Sequence, residues 1–586
     1  MNQAAFLAAR DHFEAGRFEQ ALAITQRELR KGKPDPGLDY LHAGVLSRLH
    51  RFDQALFFAQ RAAAGFPTNP GAHSLVGEIL FGAGKFPEAA VALEKSLALA
   101  PSRPVAAMRA LIAQTDRDFT KAAFWYRAAD AAEPAHTEAR GNLALVLLES
   151  LQSAEARALV DDGLAAHPDN RGLLACAAAI SNYLPDVDRA AQAAIHARYG
   201  ASVMAEAGTH ARPVRAGLGA EPARPLRIAY ASPDFREHSC SRFIESLLAH
   251  HDRSRFHVVC YFDWRYPDAT TARLRSRLTP TDLWRDVIDL DDRRFAEQVR
   301  KDQIDVLVDL AGLTNGNRLV AMAHRPAPVQ LTYLGYPNTT GVPALDARLV
   351  DDTTDPAGAE AFATEPLARI PGCFLCYQPP PDMPAPAREP GGPIRFASFN
   401  ILSKVNEQVV RAWASVLRGA PGSQLTLKSR SLSDKVVRER LAAMFGAEGI
   451  SAERLDLLGY TASTREHLEL YRRVDIALDT FPYNGTTTTC EALFMGVPVV
   501  TFAGSTHAGR VGASLLRAAG LQELVATDEE DYVRRAVVLA GDAPRLGSLR
   551  AGLRDRLLSS GLCDAPGFAR RFEETVLGIW RGVRAG

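Results

Sequence analysis

The chain has 586 residues, room for three or four domains. Its 68 basic and 68 acidic residues balance, so no broad field favours nucleic acid and any charged partner must be recognised locally. No run of about 20 apolar residues offers a membrane crossing, and the N-terminus lacks a basic stretch followed by an apolar one. Nucleic acid and membrane are therefore not expected as partners. Seven cysteines are an odd, sparse set that suits a reducing cytoplasm, where we expect the protein. Cys373 and Cys376 have CxxC spacing, but no second pair sits nearby, which argues against zinc or redox chemistry.

The first third repeats itself. GRFEQAL at 16–22, HRFDQAL at 50–56, GKFPEAA at 84–90 and RDFTKAA at 117–123 are variants of one phrase. Its alanine recurs every 33 or 34 residues at Ala21, Ala55, Ala89, Ala122 and Ala156. A small residue there lets helices approach closely. The aromatic three places earlier, Phe18, Phe52, Phe86 or Phe119, fills the groove, and Ser153 takes that place in the fifth unit. Pro34, Pro67, Pro101, Pro134 and Pro168 close the units. This helix-turn-helix period resembles the tetratricopeptide repeat, and the Ala-rich helix after the fifth unit reads as a cap. Such arrays bind peptide or protein; they also serve as scaffolds or dimerisation modules, so a homo-oligomer is among the expectations.

A Gly/Pro/Ala-rich linker at 213–225 ends the array, and the pattern changes. Apolar runs Leu226 to Ala231, Phe256 to Phe262 and Val306 to Leu310 read as strands, with helices at Ser241 to Ala249 and around 295–301 between them. After a Pro-rich stretch at 378–393, Ile394 to Phe399, Gln424 to Lys428, Leu455 to Leu458, Ile476 to Leu478 and Val497 to Phe502 repeat the alternation. Helices are expected over Asn406 to Leu417 and Asp434 to Phe445. Two Rossmann-like domains with a cleft between them are the simplest architecture. The boundaries read as 1–205, 224–385 and 390–580. Neither half opens with G-x-G-x-x-G and no G-K-[ST] loop occurs, which argues against a dinucleotide enzyme and a P-loop ATPase.

The richest stretch is Asp479 to Leu493. An apolar strand enters a turn carrying Asn484 and Gly485, and Thr486, Thr487, Thr488 and Thr489 follow as a helix begins. Backbone N–H groups and hydroxyls then converge on one point, which suits phosphate. Glu491 lies about one helical turn on, placed to accept from sugar hydroxyls. On pattern alone, the segment also suits a Thr-rich N-cap. His238 follows the first strand of the first α/β half; it can hydrogen-bond a phosphoryl or sugar oxygen, move a proton, or sit in a turn. Asn400 and Lys404 hold the same topological place in the second half, where a lysine would offset diphosphate charge or merely cap a helix. His467 opens the helix before Asp475 and suits a base, a ribose or the surface. The loops at 312–318, 325–330 and 333–341 would shape the cleft floor.

YASPDFREHS, HRPAPVQLTYLGYPNTTG, FNILSKVN and LDTFPYNGTTTTCEALFMGVPVVTFAG resemble the catalytic region of the O-GlcNAc transferase/SPINDLY family (glycosyltransferase family 41). Repeats before two Rossmann-like halves complete the likeness. The resemblance implies an α superhelix of tetratricopeptide repeats followed by a GT-B type α/β unit. It implies an inverting enzyme that moves a sugar from a nucleotide donor to Ser or Thr of a protein, with no metal or other cofactor. It places the cleft histidine on His238, the diphosphate lysine on Lys404, the phosphate loop on Thr486 to Thr488, the acidic ribose contact on Glu491 and a nucleotide-side histidine on His467. Animal members carry His at Thr486, Asp at Glu491 and Gln at Ile401, and members often carry His or Tyr at Leu313. The unbroken Gly485 to Thr489 run looks more like the plant SPINDLY branch, whose donor is GDP-fucose. A UDP-GlcNAc-like donor is favoured here, with a CMP-nonulosonic acid or GDP-fucose as alternatives. The expected partner is a protein acceptor on the array, flagellin being the bacterial candidate.

Overall fold

In the computed structural model, residues 3–32, 35–208, 224–380, 383–387 and 392–585 are described. Pro34, most of the linker read over 213–225, and residues 381–382 and 388–391 of the Pro-rich stretch lie outside them. The chain forms two compact units, 1–147 and 148–586.

The first unit is helical. Its second helices begin at the repeated phenylalanine, as Phe18–Leu29, Phe52–Gly65, Phe86–Leu99 and Phe119–Ala132. Ala21, Ala55, Ala89 and Ala122 are fully buried where helices meet. Each hairpin turns on a left-handed residue, Gly16, His50, Gly84 or Arg117, and Leu151 repeats the device in the second unit. Glycine adopts that conformation freely; the other residues accept it because the helix pair on either side fixes the turn. The expected prolines Pro67, Pro101, Pro134 and Pro168 fall between helices, where a missing N–H costs nothing.

The second unit begins with helices Ser153–Ala166, Arg171–Ser181 and Arg189–Ala207. Two sheets follow, every pairing in them parallel. The first contains β1 (Leu226–Ser232), β2 (Phe256–Phe262), β3 (Leu283–Asp286), β4 (Val306–Asp309), β5 (Val329–Thr332), β6 (Ala347–Val350) and β7 (Leu367–Arg369), in the order β3-β2-β1-β4-β5-β6-β7. The second contains β8 (Arg395–Ser398), β9 (Gln424–Lys428), β10 (Leu455–Leu458), β11 (Ile476–Leu478), β12 (Val499–Phe502) and β13 (Val525–Ala526), in the order β10-β9-β8-β11-β12-β13. Strand order reverses between β1 and β4 in one sheet and between β8 and β11 in the other. A crevice opens at such a reversal, because the loops leaving the two neighbouring strands diverge to opposite faces. The architecture is the expected helical array followed by a GT-B type pair of α/β domains.

The closing helix Ala565–Ala585 packs on helix Ser241–His250 and on β5 and β7 of the first sheet. Glu573 pins it there, accepting from His251 Nδ1 and from the Asp252 amide, both at 2.8 Å. Across the two sheets, His507 Nδ1 lies 2.5 Å from Asp355, and Ser514 donates to Asp351 at 2.5 Å. No helix among the described residues is long and apolar enough to cross a membrane.

Candidate active site

Both reversal points contribute to one cleft. A cavity of about 330 Å³ is lined by His238 and Arg242 from the first sheet's side and by His467, Thr487 and Glu491 from the second. His238 lies in the loop leaving β1. Its Nδ1 stands 3.4 Å from Asp234 Oδ2 and 3.3 Å from the Cys240 amide. These contacts are alternatives. Protonated at Nδ1, the ring leans on Asp234 and leaves Nε2 free to take a proton; bare at Nδ1, it accepts from Cys240 and presents Nε2–H. Burial lowers its pKa, with Asp234 opposing, so the neutral ring prevails at pH 7.

On the opposite wall, helix Thr487–Phe494 starts where β11's loop ends. No side chain among the described residues caps it. The buried Thr487 hydroxyl has no hydrogen-bond partner among the described residues, so a donor and acceptor are left unspent at the helix's positive end. Thr488 donates to Asn400 Oδ1 at 3.1 Å, and Asn400 donates to Ser398 at 3.2 Å. Thr486 is the residue before the helix, and Gly485 is packed so closely that a Cβ would meet Thr488 Oγ1 at 2.7 Å. Asn484 differs from its neighbours. Its side chain is fully buried, donates to the Thr480 carbonyl at 2.8 Å and accepts from the Gly512 amide at 3.2 Å. It shapes the turn from within and has no face toward the cavity.

Lys404 lies behind this turn, 9% exposed. It donates to the Asn484 carbonyl at 2.6 Å, and its ammonium sits 3.9 Å from the Tyr483 ring centroid. Burial brings its pKa down to about 8, with Asp479 opposing. Asp479 is buried too, and burial pushes it up to about 6 although it accepts from Gly485, Thr480 and Thr501. The lysine is therefore under-neutralised, the condition in which an arriving anion binds best. Tyr483 in turn packs on Tyr183, centroids 5.0 Å apart with the rings tilted by 37°, and Ser403 hydrogen-bonds the Tyr183 hydroxyl. A residue of the helical segment thus braces the lysine, which no sequence pattern signalled.

His467 and Glu491 meet directly, Nε2 to Oε2 at 3.1 Å. Lys428, at the end of β9, approaches the other ring nitrogen at 2.9 Å. Sequence reading passed over Lys428 and Arg242, since lone charged residues at a strand end or helix start usually face water. Leu313 is buried within the loop after β4.

Facing Rossmann-like sheets with their reversal points on one cleft define the GT-B class. The model of the family described as Glycosyl transferase family 41 matches residues 182–378 and 387–572. The chain belongs to that family. It is 44% identical over 365 residues to a tomato (Solanum lycopersicum) protein named a probable UDP-N-acetylglucosamine–peptide N-acetylglucosaminyltransferase SPINDLY. That match covers 61% of this chain and 39% of the relative's length. An Arabidopsis thaliana relative, named a probable enzyme of the same activity, SEC, is 30% identical over 367 residues, covering 61% of this chain and 37% of its own. The chain thus spans about two fifths of the curated relatives it matches. Among solved structures, a lysine-to-methionine mutant of the Thermobaculum terrenum O-GlcNAc transferase superposes with a TM-score of 0.79 at 33% identity, covering 94% of this chain and 98% of that one.

Proposed function

We propose that the protein is an inverting protein O-glycosyltransferase that moves a sugar from a nucleotide donor to Ser or Thr hydroxyls. The observation that carries this reading is the uncapped start of helix Thr487–Phe494, with a Thr487 hydroxyl that has no partner among the described residues, in one wall of a cavity whose other wall carries His238. The names of the relatives favour a UDP-GlcNAc-like donor. The donor's phosphates would rest on the amides and hydroxyls of Thr486 to Thr488, with Asn400 fixing Thr488 and Lys404 supplying positive charge from behind. Glu491 and His467 would take the nucleoside side. The acceptor hydroxyl attacks the anomeric carbon in line and gives up its proton to a base in the cleft, the bond from that carbon to the phosphate oxygen breaks with its electron pair leaving on the phosphate, and the configuration inverts. Charge grows on the departing phosphate, where preorganised donors gain most. His238, neutral and partly exposed, stands on the acceptor side.

In this reading, residues 1–205 recruit a protein acceptor, 224–385 present His238, and 390–580 hold the donor. A cytoplasmic setting and flagellin as acceptor follow from the composition and from family analogy alone. The test is to incubate the pure chain with UDP-GlcNAc, a CMP-nonulosonic acid and GDP-fucose, with flagellin and unrelated proteins as acceptors. Nucleotide release matched by one sugar mass on Ser or Thr supports the proposal and names the donor. Release of nucleotide without any protein adduct would overturn it.

A further inference from the structure

Lys428, His467 and Glu491 form a chain of fixed polarity. An ammonium can only donate hydrogen bonds. Lys428 Nζ stands 2.9 Å from His467 Nδ1, so Nδ1 must be bare and the neutral ring carries its proton on Nε2. That proton points at Glu491 Oε2, 3.1 Å away. The other tautomer would set N–H against N–H at Lys428 and a bare nitrogen against a carboxylate at Glu491. Phe399 and Tyr471, their own centroids 4.7 Å apart, pack together against one side of the ring, with centroids 5.6 and 5.8 Å distant from it. His467 and Glu491 line the cavity, whereas Lys428 stands behind His467.

The wall presented to a ligand is therefore the remaining acceptor capacity of Glu491, with one of its oxygens already held. We infer that Lys428 is a positioning residue that locks His467 as the Nε2–H tautomer and so presents Glu491 as an oriented acceptor to the hydroxyls of a ribonucleotide. The inference deepens the proposed function and rests on its placing the nucleoside against this wall. A ribose offers a vicinal pair of hydroxyl donors; a 2′-deoxyribose offers one fewer and leaves a part-buried carboxylate oxygen unmet, which is costly. The wall thus selects ribonucleotides over their deoxy forms.

The test uses the full chain with ¹⁵N-labelled histidine. Long-range proton–nitrogen spectra, with His467→Gln to identify the signals, should show a bare Nδ1 and a protonated Nε2 in the wild type. Lys428→Met should shift the ring toward a mixture of tautomers, and Lys428→Arg should keep it. In parallel, UDP, GDP and CMP are titrated, followed by the 2′-deoxy form of whichever binds. Lys428→Met is expected to weaken the ribonucleotide about tenfold and to shrink the preference over the deoxy form as much, with thermal unfolding unchanged. An unchanged tautomer in Lys428→Met, or a shifted tautomer with the preference intact, overturns the inference. If none of the three nucleotides binds, or Glu491→Gln binds as wild type, the placement of the nucleoside fails instead; the ring spectra still decide whether Lys428 sets the tautomer.

Discussion

At the residue scale, Lys404 and Asp479 make the donor side sensitive to pH in a defined direction. The folded pKa of Lys404 is brought down to about 8, below its ordinary 10.5. Between those values the unfolded chain binds more protons than the native one, so this group adds stability as pH rises through that window. Anion binding runs the other way, because it needs the charged form. Affinity for UDP, or for whichever nucleotide diphosphate binds, is expected to fall as pH rises past about 8. Lys404→Arg, which stays charged, should flatten that dependence, and calorimetric titration from pH 7 to 9.5 reads it. Lys404→Ala should lower turnover by roughly 10²–10³, the loss usual for one preorganised charge-stabilising donor. His238 has a different signature. It touches the opposite wall, so His238→Ala should lower kcat by about 10²–10⁴ while nucleotide affinity stays within twofold. Equal losses in affinity and kcat would place His238 on the donor side instead.

At the element scale, the start of helix Thr487–Phe494 depends on one glycine. A Cβ on Gly485 would lie 2.7 Å from Thr488 Oγ1, 2.9 Å from Thr489 Oγ1 and 3.1 Å from Asn400 Oδ1. Those groups must move apart, which breaks the Thr488–Asn400 bond and turns the hydroxyls off the cavity. Gly485→Ala is expected to cost at least tenfold in nucleotide affinity with the circular dichroism spectrum intact; wild-type affinity would show that the hydroxyl array is not the phosphate seat. Elements with a strong local signal were legible in the sequence. The boundaries of β2, β9, β10 and β11 agree with their apolar runs, and the repeated aromatic stands at the start of the second helix of each pair in the first unit. The strands β3 (LWRD), β6 (ARLV) and β7 (LAR) gave no such signal, being three or four residues long with an arginine in each. Neighbouring strands impose their conformation, and a short window cannot show that. The same limit applies in the cleft. His238, Thr487 and Glu491 were candidates because ligands bind near strand ends in this topology, His467 stood out from the surface only through the resemblance, and the four line one cavity, whereas Lys428 acquires its meaning only through a histidine 39 residues away.

At the scale of the whole molecule, the helical segment after residue 148 belongs physically with the α/β part. Asn338 donates to Asn182 at 2.8 Å and to Gln192 at 3.1 Å, and His196 Nε2 lies 2.8 Å from the Tyr336 hydroxyl. The backbones at Gly200 and Gly341 approach so closely that neither position has room for a Cβ. Tyr183 reaches further, through Tyr483, to Lys404. Two truncations should then behave differently. Removing residues 1–147 takes away one compact unit and leaves these contacts whole. That fragment is expected to unfold cooperatively and to bind the donor nucleotide within threefold of the full chain, while losing modification of its protein acceptor if the array recruits it. Removing residues 1–207 strips the polar partners from the 336–341 loop and the brace from Tyr483. The freed polar groups can turn to water, but the apolar surface that Tyr199 and Val203 help to cover is laid bare, so this fragment should aggregate or melt well below the other. Nucleotide titration, thermal unfolding and acceptor modification on the two fragments separate the roles. If the 1–147 deletion modifies its acceptor as fast as the full chain, the first unit serves assembly rather than recruitment. If the 1–207 deletion is as stable as the shorter one, the helical segment is merely attached to the catalytic pair and does not support it.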